Sequence, residues 1–252
     1  MKARYFVILL VCLGTIFCAS QQKKLQKERE QSPEYQYDVG TLYLNNNNPD
    51  EAIKCFRRVL QLDSDFYLAY NSLGLAYLMK GELKTAEQYF YKCLEIKPSF
   101  AEPHNNLGTV YQEMELYEKA EREFKTAIED IRYPARHLAY YNLARLYYIQ
   151  NKDQEALDNI KIAAKMKLDF AQAFNLEGII YEKLGKYDEA INSYEEALKI
   201  SPNDLDLNFN LAIAFFKSNR YEEAKQIFER IYPNVTDPEM KSKIEQYLKV
   251  IK

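Results

Sequence analysis

Tryptophan is absent from the 252 residues, and histidine occurs only twice, at His104 and His137. So few imidazoles leave little material for acid–base chemistry near neutral pH or for zinc. No Gly-rich phosphate loop, His-Glu-x-x-His or Gly-x-Ser-x-Gly pattern occurs. That removes the common local signatures of nucleotide binding, zinc hydrolysis and serine hydrolysis. Glycine and proline are scarce too, seven and eight residues, and few breakers favour helices over hairpins. Cysteine is limited to Cys12, Cys18, Cys55 and Cys93. The first two fall in an N-terminal apolar segment. The other two have no metal-ligand spacing and read as small buried residues on helices. No catalytic, metal or cofactor site is expected, and the chain is not expected to be an enzyme. The net charge of −3 includes Lys2 and Arg4 in the first 18 residues. Without them the chain is more acidic still, with no basic patch, so nucleic acid is not an expected partner.

Tyrosine is what the chain has in quantity, 22 residues, within a 47% hydrophobic and 28% charged composition. A tyrosine buries its ring and keeps its hydroxyl at a wet edge, which suits shallow interfaces between stacked helices. Its distribution is periodic. One ladder runs Tyr43, Tyr77, Tyr111, Tyr147, Tyr181, Phe215, with steps of 34, 34, 36, 34 and 34. Three more ladders share those steps: Gly40, Gly74, Gly108, Ala144, Gly178, Ala212; Ala52, Ala86, Ala120, Ala156, Ala190, Ala224; and Phe56, Phe90, Phe124, Ile160, Tyr194, Phe228. Four ladders sharing one period and one irregularity define internal repeats.

The spacing aromatic-x2-Leu-Gly-x2-Tyr, then Ala-x3-Phe, then Pro resembles the tetratricopeptide repeat. His104, Leu107, Gly108, Tyr111, Ala120 and Phe124 carry it in the third repeat. The resemblance implies an all-α solenoid, a right-handed superhelix of six helix-turn-helix repeats. The repeats span 33–66, 67–100, 101–134, 137–170, 171–204 and 205–238, with Ala135 and Arg136 inserted. Small residues in the glycine ladder let two backbones approach, and no repeat buries its apolar face alone. Intra-repeat turns are expected at Asn47, Gly81, Glu115, Asn151, Gly185 and Asn219. Asp237 and Pro238 form an N-cap and first helical residue. A capping helix over 239–252 then presents Ile244, Tyr247, Leu248 and Ile251 on one face. His104 falls at a packing position, and His137 on the surface. Glu177 stands where the signature has Leu, with Lys183 as its expected local partner.

Met1–Arg4 is a short basic region, and Tyr5 to Phe17 is an apolar run too short for a membrane span of about 20 residues. Cys18 closes that run. Its placement resembles a bacterial lipoprotein signal, with residues 1–18 as the signal, Cys18 as the lipidated residue and 19–32 as a polar tether. Phe17 departs from the small residue usual before the cysteine. Ordinary secretion and an uncleaved anchor are the other readings, and each puts the body of the chain outside the cytoplasm. Ala19 after the cysteine implies the periplasmic face of the outer membrane by resemblance. A periplasmic or inner-membrane-anchored protein is the alternative.

In tetratricopeptide proteins the first helices line a concave groove through positions 2, 5, 9, 12 and 13 of each repeat. Here those positions hold Leu68, Asn71, Leu75, Leu78 and Met79 in repeat two, and Leu138, Tyr141, Arg145, Tyr148 and Ile149 in repeat four. Repeat six offers Phe209, Ile213 and Phe216. So many apolar residues outside the stacking pattern mark a partner site for a protein segment, unless they pack on one another inside a tight superhelix. A narrower resemblance lies in His104-Asn105-Asn106-Leu107-Gly108, then Arg132-Tyr133-Pro134-Ala135-Arg136, then Asn142-Leu143. It is similar to the pilotin lipoproteins of type IV pilus assembly, which bring an outer-membrane secretin to its place. Ala144 departs from their usual glycine. The resemblance implies a secretin as the groove's partner. A general envelope adaptor for peptidoglycan enzymes, proteases or outer-membrane protein assembly is the second reading, and an accessory domain of an enzyme complex the third.

Overall fold

The computed structural model describes residues 31–251. The N-terminal address, Cys18 and most of the 19–32 tether lie outside the described residues. Within them are thirteen α-helices and one short 3-10 turn. In chain order they are α1 (Pro33–Asn45), α2 (Pro49–Leu62), α3 (Tyr67–Met79), α4 (Leu83–Ile96), α5 (Ala101–Glu113), α6 (Tyr117–Glu129), α7 (Arg136–Ile149), α8 (Asp153–Met166), α9 (Ala171–Lys183), α10 (Tyr187–Ile200), α11 (Leu205–Lys217), α12 (Tyr221–Ile231), the 3-10 turn Tyr232–Asn234, and α13 (Pro238–Val250).

Helix starts follow local chemistry. Ser32 Oγ accepts the Tyr35 amide ahead of Pro33, and Asn48 accepts the Glu51 amide ahead of Pro49. In each pair a polar cap satisfies a free N–H and a proline takes a position that needs none. Asp237 caps α13 in the same way, accepting from the amides of Glu239 and Met240. Stops are equally local. Asn47, Gly81, Glu115, Asn151, Gly185 and Asn219 all have φ between 56° and 73°. These are the six residues that the repeat pattern assigns to turns. At Gly81 the amide reaches Leu78 O (2.9 Å) and the next amide, of Glu82, reaches Tyr77 O (2.9 Å). This paired closure satisfies the last carbonyls of a helix. It recurs at Asn47, Asn151, Gly185 and Asn219, where the second acceptor is Tyr43, Tyr147, Tyr181 and Phe215. In these five turns the aromatic ladder therefore marks the carbonyl on which the turn closes.

The described residues fall into two compact units, one ending at Met114 and one starting at Glu115. In the first unit, α1 to α5, Phe56 and Phe90 are fully buried. A Cβ added to Gly40 would lie 2.6 Å from the Phe56 ring, so the glycine is needed for the approach of α1 to α2 and not for its dihedral freedom. Asn71 is only 3% exposed. It donates to Glu102 Oε1 (2.9 Å) and accepts from Asn106 Nδ2 (3.1 Å), which offsets its burial.

In the second unit, α6 to α13, the same offset sets Gly178 against Tyr194, with 2.5 Å from an added Cβ to the ring. Ala144 takes the glycine position opposite the smaller Ile160, and both are fully buried. The unit ends in an apolar cluster built from α10, α11 and α12, closed by Ile244 of α13, with Tyr247, Leu248 and Ile251 packed against it. The α13 face expected from spacing is the one that covers the stack. His104 is partly buried, and so is His137, whose ring meets Phe170 edge-on at 5.4 Å.

Candidate functional site

The residues at groove positions divide into three sets. In the first unit, Leu75 and Leu78 on α3 are partly exposed and Met79 is 46% exposed. The stacking side of the same helix, Ala69, Leu73, Ala76 and Tyr77, is buried. Leu75 and Leu78 are thus not used up by the core of their own unit.

The second set lies on α7, where Tyr141, Arg145, Tyr148 and Ile149 recur one turn apart and share a face. Tyr141, Arg145 and Tyr148 are partly exposed and Ile149 is 45% exposed. Ala139, Leu143, Leu146 and Tyr147, which alternate with them around the helix, are buried. The Tyr141 ring leans on Phe170 at 5.1 Å between centroids. The Arg145 guanidinium stands 6.0 Å over the Tyr141 ring. Lys183 Nζ of α9 stands 4.8 Å over the Tyr148 ring. Each cation sits on an aromatic face, an attractive arrangement that also holds the ring in one pose. Lys183 is neutralised, donating to Asp153 Oδ1 (2.6 Å) and Asn151 Oδ1 (2.8 Å). Arg145 has no hydrogen bond or ion pair among the described residues.

The third set is divided. Phe209 and Phe216 read as groove residues from their positions; Phe209 is corrected to the core, being 9% exposed and meeting Phe228 edge-on at 5.9 Å, while Phe216 is partly exposed. Phe216 is held between Tyr221 and Tyr247, at 5.3 Å and 4.9 Å. Phe209 is thus held by α12, and Tyr247 of α13 reaches back onto Phe216. Within the second unit the stripe of large groove side chains with a cation at its centre is that of α7.

Two polar features escaped the sequence reading. Lys80 binds Asp50 (2.8 Å) and Lys183 binds Asp153 (2.6 Å), both across an offset of 30 residues. Asn106 donates to Asn71 and Asn210 to Asn175, both at 3.1 Å and an offset of 35. The recurring offsets were the signal, since a pair repeated one period apart is an inter-repeat bond. Lys183 is accordingly not the partner of Glu177. That carboxylate lines a shallow cavity of about 190 Å³ with Lys161, Ala164, Lys165, Leu168 and Phe174. Burial pushes its pKa up, partly offset by Lys161, a hydrogen bond with Ser193, and Lys165. Two larger cavities, about 390 and 380 Å³, flank the bond from Arg230 to Asn208 (2.6 Å), away from the α7 stripe. No cluster of three metal-ligating side chains occurs among the described residues, and no described helix is long and apolar enough to cross a membrane.

Paired antiparallel helices, closed by left-handed turns and stacked through a small-residue and aromatic ladder, define a helical-repeat scaffold. Tetratricopeptide repeat profiles match residues 37–99, 99–167 and 183–247. The chain is a tetratricopeptide-repeat protein. It is 25% identical over 86% of its length to a TPR repeat-containing protein of Methanocaldococcus jannaschii, and 26% identical over 87% to the human protein O-mannosyl-transferase TMTC3. It spans only 34% and 24% of those two proteins. Among solved structures, Pseudomonas aeruginosa PilF superposes with a TM-score of 0.75 at 17% identity, covering 87% of this chain and 99% of PilF. PilW, described as a widely conserved type IV pilus biogenesis factor, superposes with a TM-score of 0.76 at 17% identity, covering 84% and 97%. At that identity the likeness establishes a shared fold.

Proposed function

We propose that this chain is a non-catalytic, protein-binding scaffold of the bacterial envelope, a pilotin-like lipoprotein that assists a secretin in type IV pilus assembly. The observation that carries the binding role is the α7 stripe: large side chains at groove positions, partly exposed, beside a fully buried stacking face. The pilus assignment draws on two supports. One is the fold shared with PilF and PilW over nearly the full length of each. The other is the insertion Ala135-Arg136 after Tyr133-Pro134. The anchor is Cys18, at the junction of the apolar and polar segments. A lipid there would leave the repeats in the periplasm on a tether that, fully extended, reaches about 45–50 Å.

The test is genetic and biochemical together. Cys18→Ser should abolish acylation and move the protein from the outer-membrane fraction to the soluble periplasm. Deletion of the gene should deplete secretin multimers in the outer membrane. Wild-type protein without an acyl chain would overturn the anchor. Undiminished secretin multimers in the deletion strain would overturn the pilotin role and favour a general envelope adaptor.

A further inference from the structure

We infer that the α7 stripe reads an internal acidic residue of an extended partner segment, with Arg145 as the carboxylate receptor and Tyr141, Tyr148 and Ile149 as the apolar walls on either side of it. The inference rests on the binding role proposed above and adds the chemistry of the occupant. Three observations carry it. First, the cations around the stripe are unequal. Lys183 is paired with Asp153 at 2.6 Å, and Lys217 with Glu182 at 2.6 Å. Arg145 has only the Tyr141 ring, 6.0 Å away. One positive charge is left uncompensated on a partly desolvated aromatic surface. Second, the uncompensated group is a guanidinium. Its planar fork matches a carboxylate through two parallel hydrogen bonds, which an ammonium cannot do. The Tyr141 ring, 6.0 Å from it, keeps the guanidinium beside the apolar wall. Third, Arg145 lies in the middle of the stripe, with Tyr141 one turn before it and Tyr148 and Ile149 one turn after. A carboxylate at Arg145 that also fills both walls needs chain on both sides of it. An Asp or Glu flanked by large apolar residues meets that requirement, and a chain terminus leaves half the stripe empty.

The experiment uses the full chain in detergent and phage-displayed random dodecapeptides as the probe. The selected peptide is then synthesised in four forms: acidic or with the carboxamide (Asp→Asn or Glu→Gln), each with a free or an amidated C-terminus. Binding is read by fluorescence anisotropy against the wild type, Arg145→Gln, Arg145→Lys and Tyr148→Ala. On the wild type, the carboxamide peptide should bind roughly 10-fold more weakly than the acidic one, whatever its C-terminus. On Arg145→Gln both peptides should bind at the weak level, and Arg145→Lys should restore only part of the difference. Equal affinity of acid and carboxamide on the wild type overturns the inference. So does a loss that follows the C-terminal amide instead of the side chain. Binding abolished by Tyr148→Ala but untouched by Arg145→Gln leaves the groove as the docking face and removes the carboxylate rule. Binding untouched by both variants, or no peptide selected, counts against the groove itself.

Discussion

Replacing Gly178 with alanine puts a methyl group where the second unit has no room for one. The added Cβ would lie 2.5, 2.7 and 2.8 Å from Cε1, Cδ1 and Cζ of Tyr194, where ordinary contact begins near 3.4 Å. The ring would have to retreat by about 1 Å. It cannot do so freely, because Tyr194 is fully buried and its hydroxyl lies 3.3 Å from Glu182 Oε2. Overpacking of this kind costs about 1–3 kcal/mol. Alanine returns close to 1 kcal/mol of helix propensity. The expected net loss is therefore about 0–2 kcal/mol. The neighbouring repeat supplies the compensating change, since there Ala144 faces Ile160. Tyr194→Ile alone should cost about 2–4 kcal/mol through the cavity it leaves. Combined with Gly178→Ala, it should cost less than it does alone, because the methyl fills part of that cavity. Urea denaturation followed by far-ultraviolet circular dichroism closes the cycle, with the slopes compared to confirm that one transition is being read. A Gly178→Ala midpoint above the wild type, or strict additivity in the double variant, would refute the packing account.

Two further changes test local terms. Glu115 is the one left-handed turn residue here that is neither glycine nor asparagine, with φ of 58°; Glu115→Gly should raise stability by about 0.5–1 kcal/mol, and a lower urea midpoint would contradict the strain argument. Glu177→Leu should stabilise by on the order of 1 kcal/mol at pH 7, because leucine occupies the equivalent site at Leu73, Leu107, Leu143 and Leu211, all buried. Burial raises the folded pKa of Glu177, so the folded state holds its proton better than the unfolded state, and the penalty appears as pH rises above the ordinary value of 4.5. The gain from leucine should therefore shrink toward pH 4, and a gain that grows on acidification would reverse the assignment.

The repeat frame was legible because its determinants are local and recur. A turn that needs positive φ takes Gly or Asn with little strain, and a helix that must clear an aromatic ring takes Gly or Ala at one fixed offset. Each requirement is met six times, so even the departure at Glu115 could be placed from its neighbours. The groove was less legible, because openness depends on what lies above a residue and not on its own spacing. Phe209 has the same register as Tyr141, and only its packing on Phe228 of the following helix puts it in the core. Lys183 was assigned to Glu177 by nearness in sequence, while its actual partner Asp153 lies 30 residues away, one repeat earlier.

A solenoid separates the residues that hold it together from those that face a partner, and this separation sets where function can be found. Stacking positions are tied to one another, since Gly178 cannot change without Tyr194. Some groove positions carry such a tie as well, since Asn71 accepts from Asn106 and Asn175 from Asn210, and others, such as Arg145, carry none among the described residues. Agreement among repeats therefore reports packing, and a groove residue with no tie to another repeat is where recognition is best sought. Repeat four departs at its ninth position, where it alone of the six carries a charge. At its fifth position Tyr141 has aromatic counterparts in Tyr37 and Phe209 of repeats one and six, while repeats two, three and five have Asn71, Asn105 and Asn175. At its ninth, Arg145 stands where repeats two, five and six have Leu75, Ile179 and Ile213. Its stacking residues Leu143, Ala144 and Tyr147 remain buried as in the other repeats. Tyr141 packs on Phe170 as Tyr37 packs on Phe66 at the same offset, so its ring serves the stacking as well; Arg145 has no such use among the described residues, and it is the residue for which the recognition proposed above supplies a physical reason.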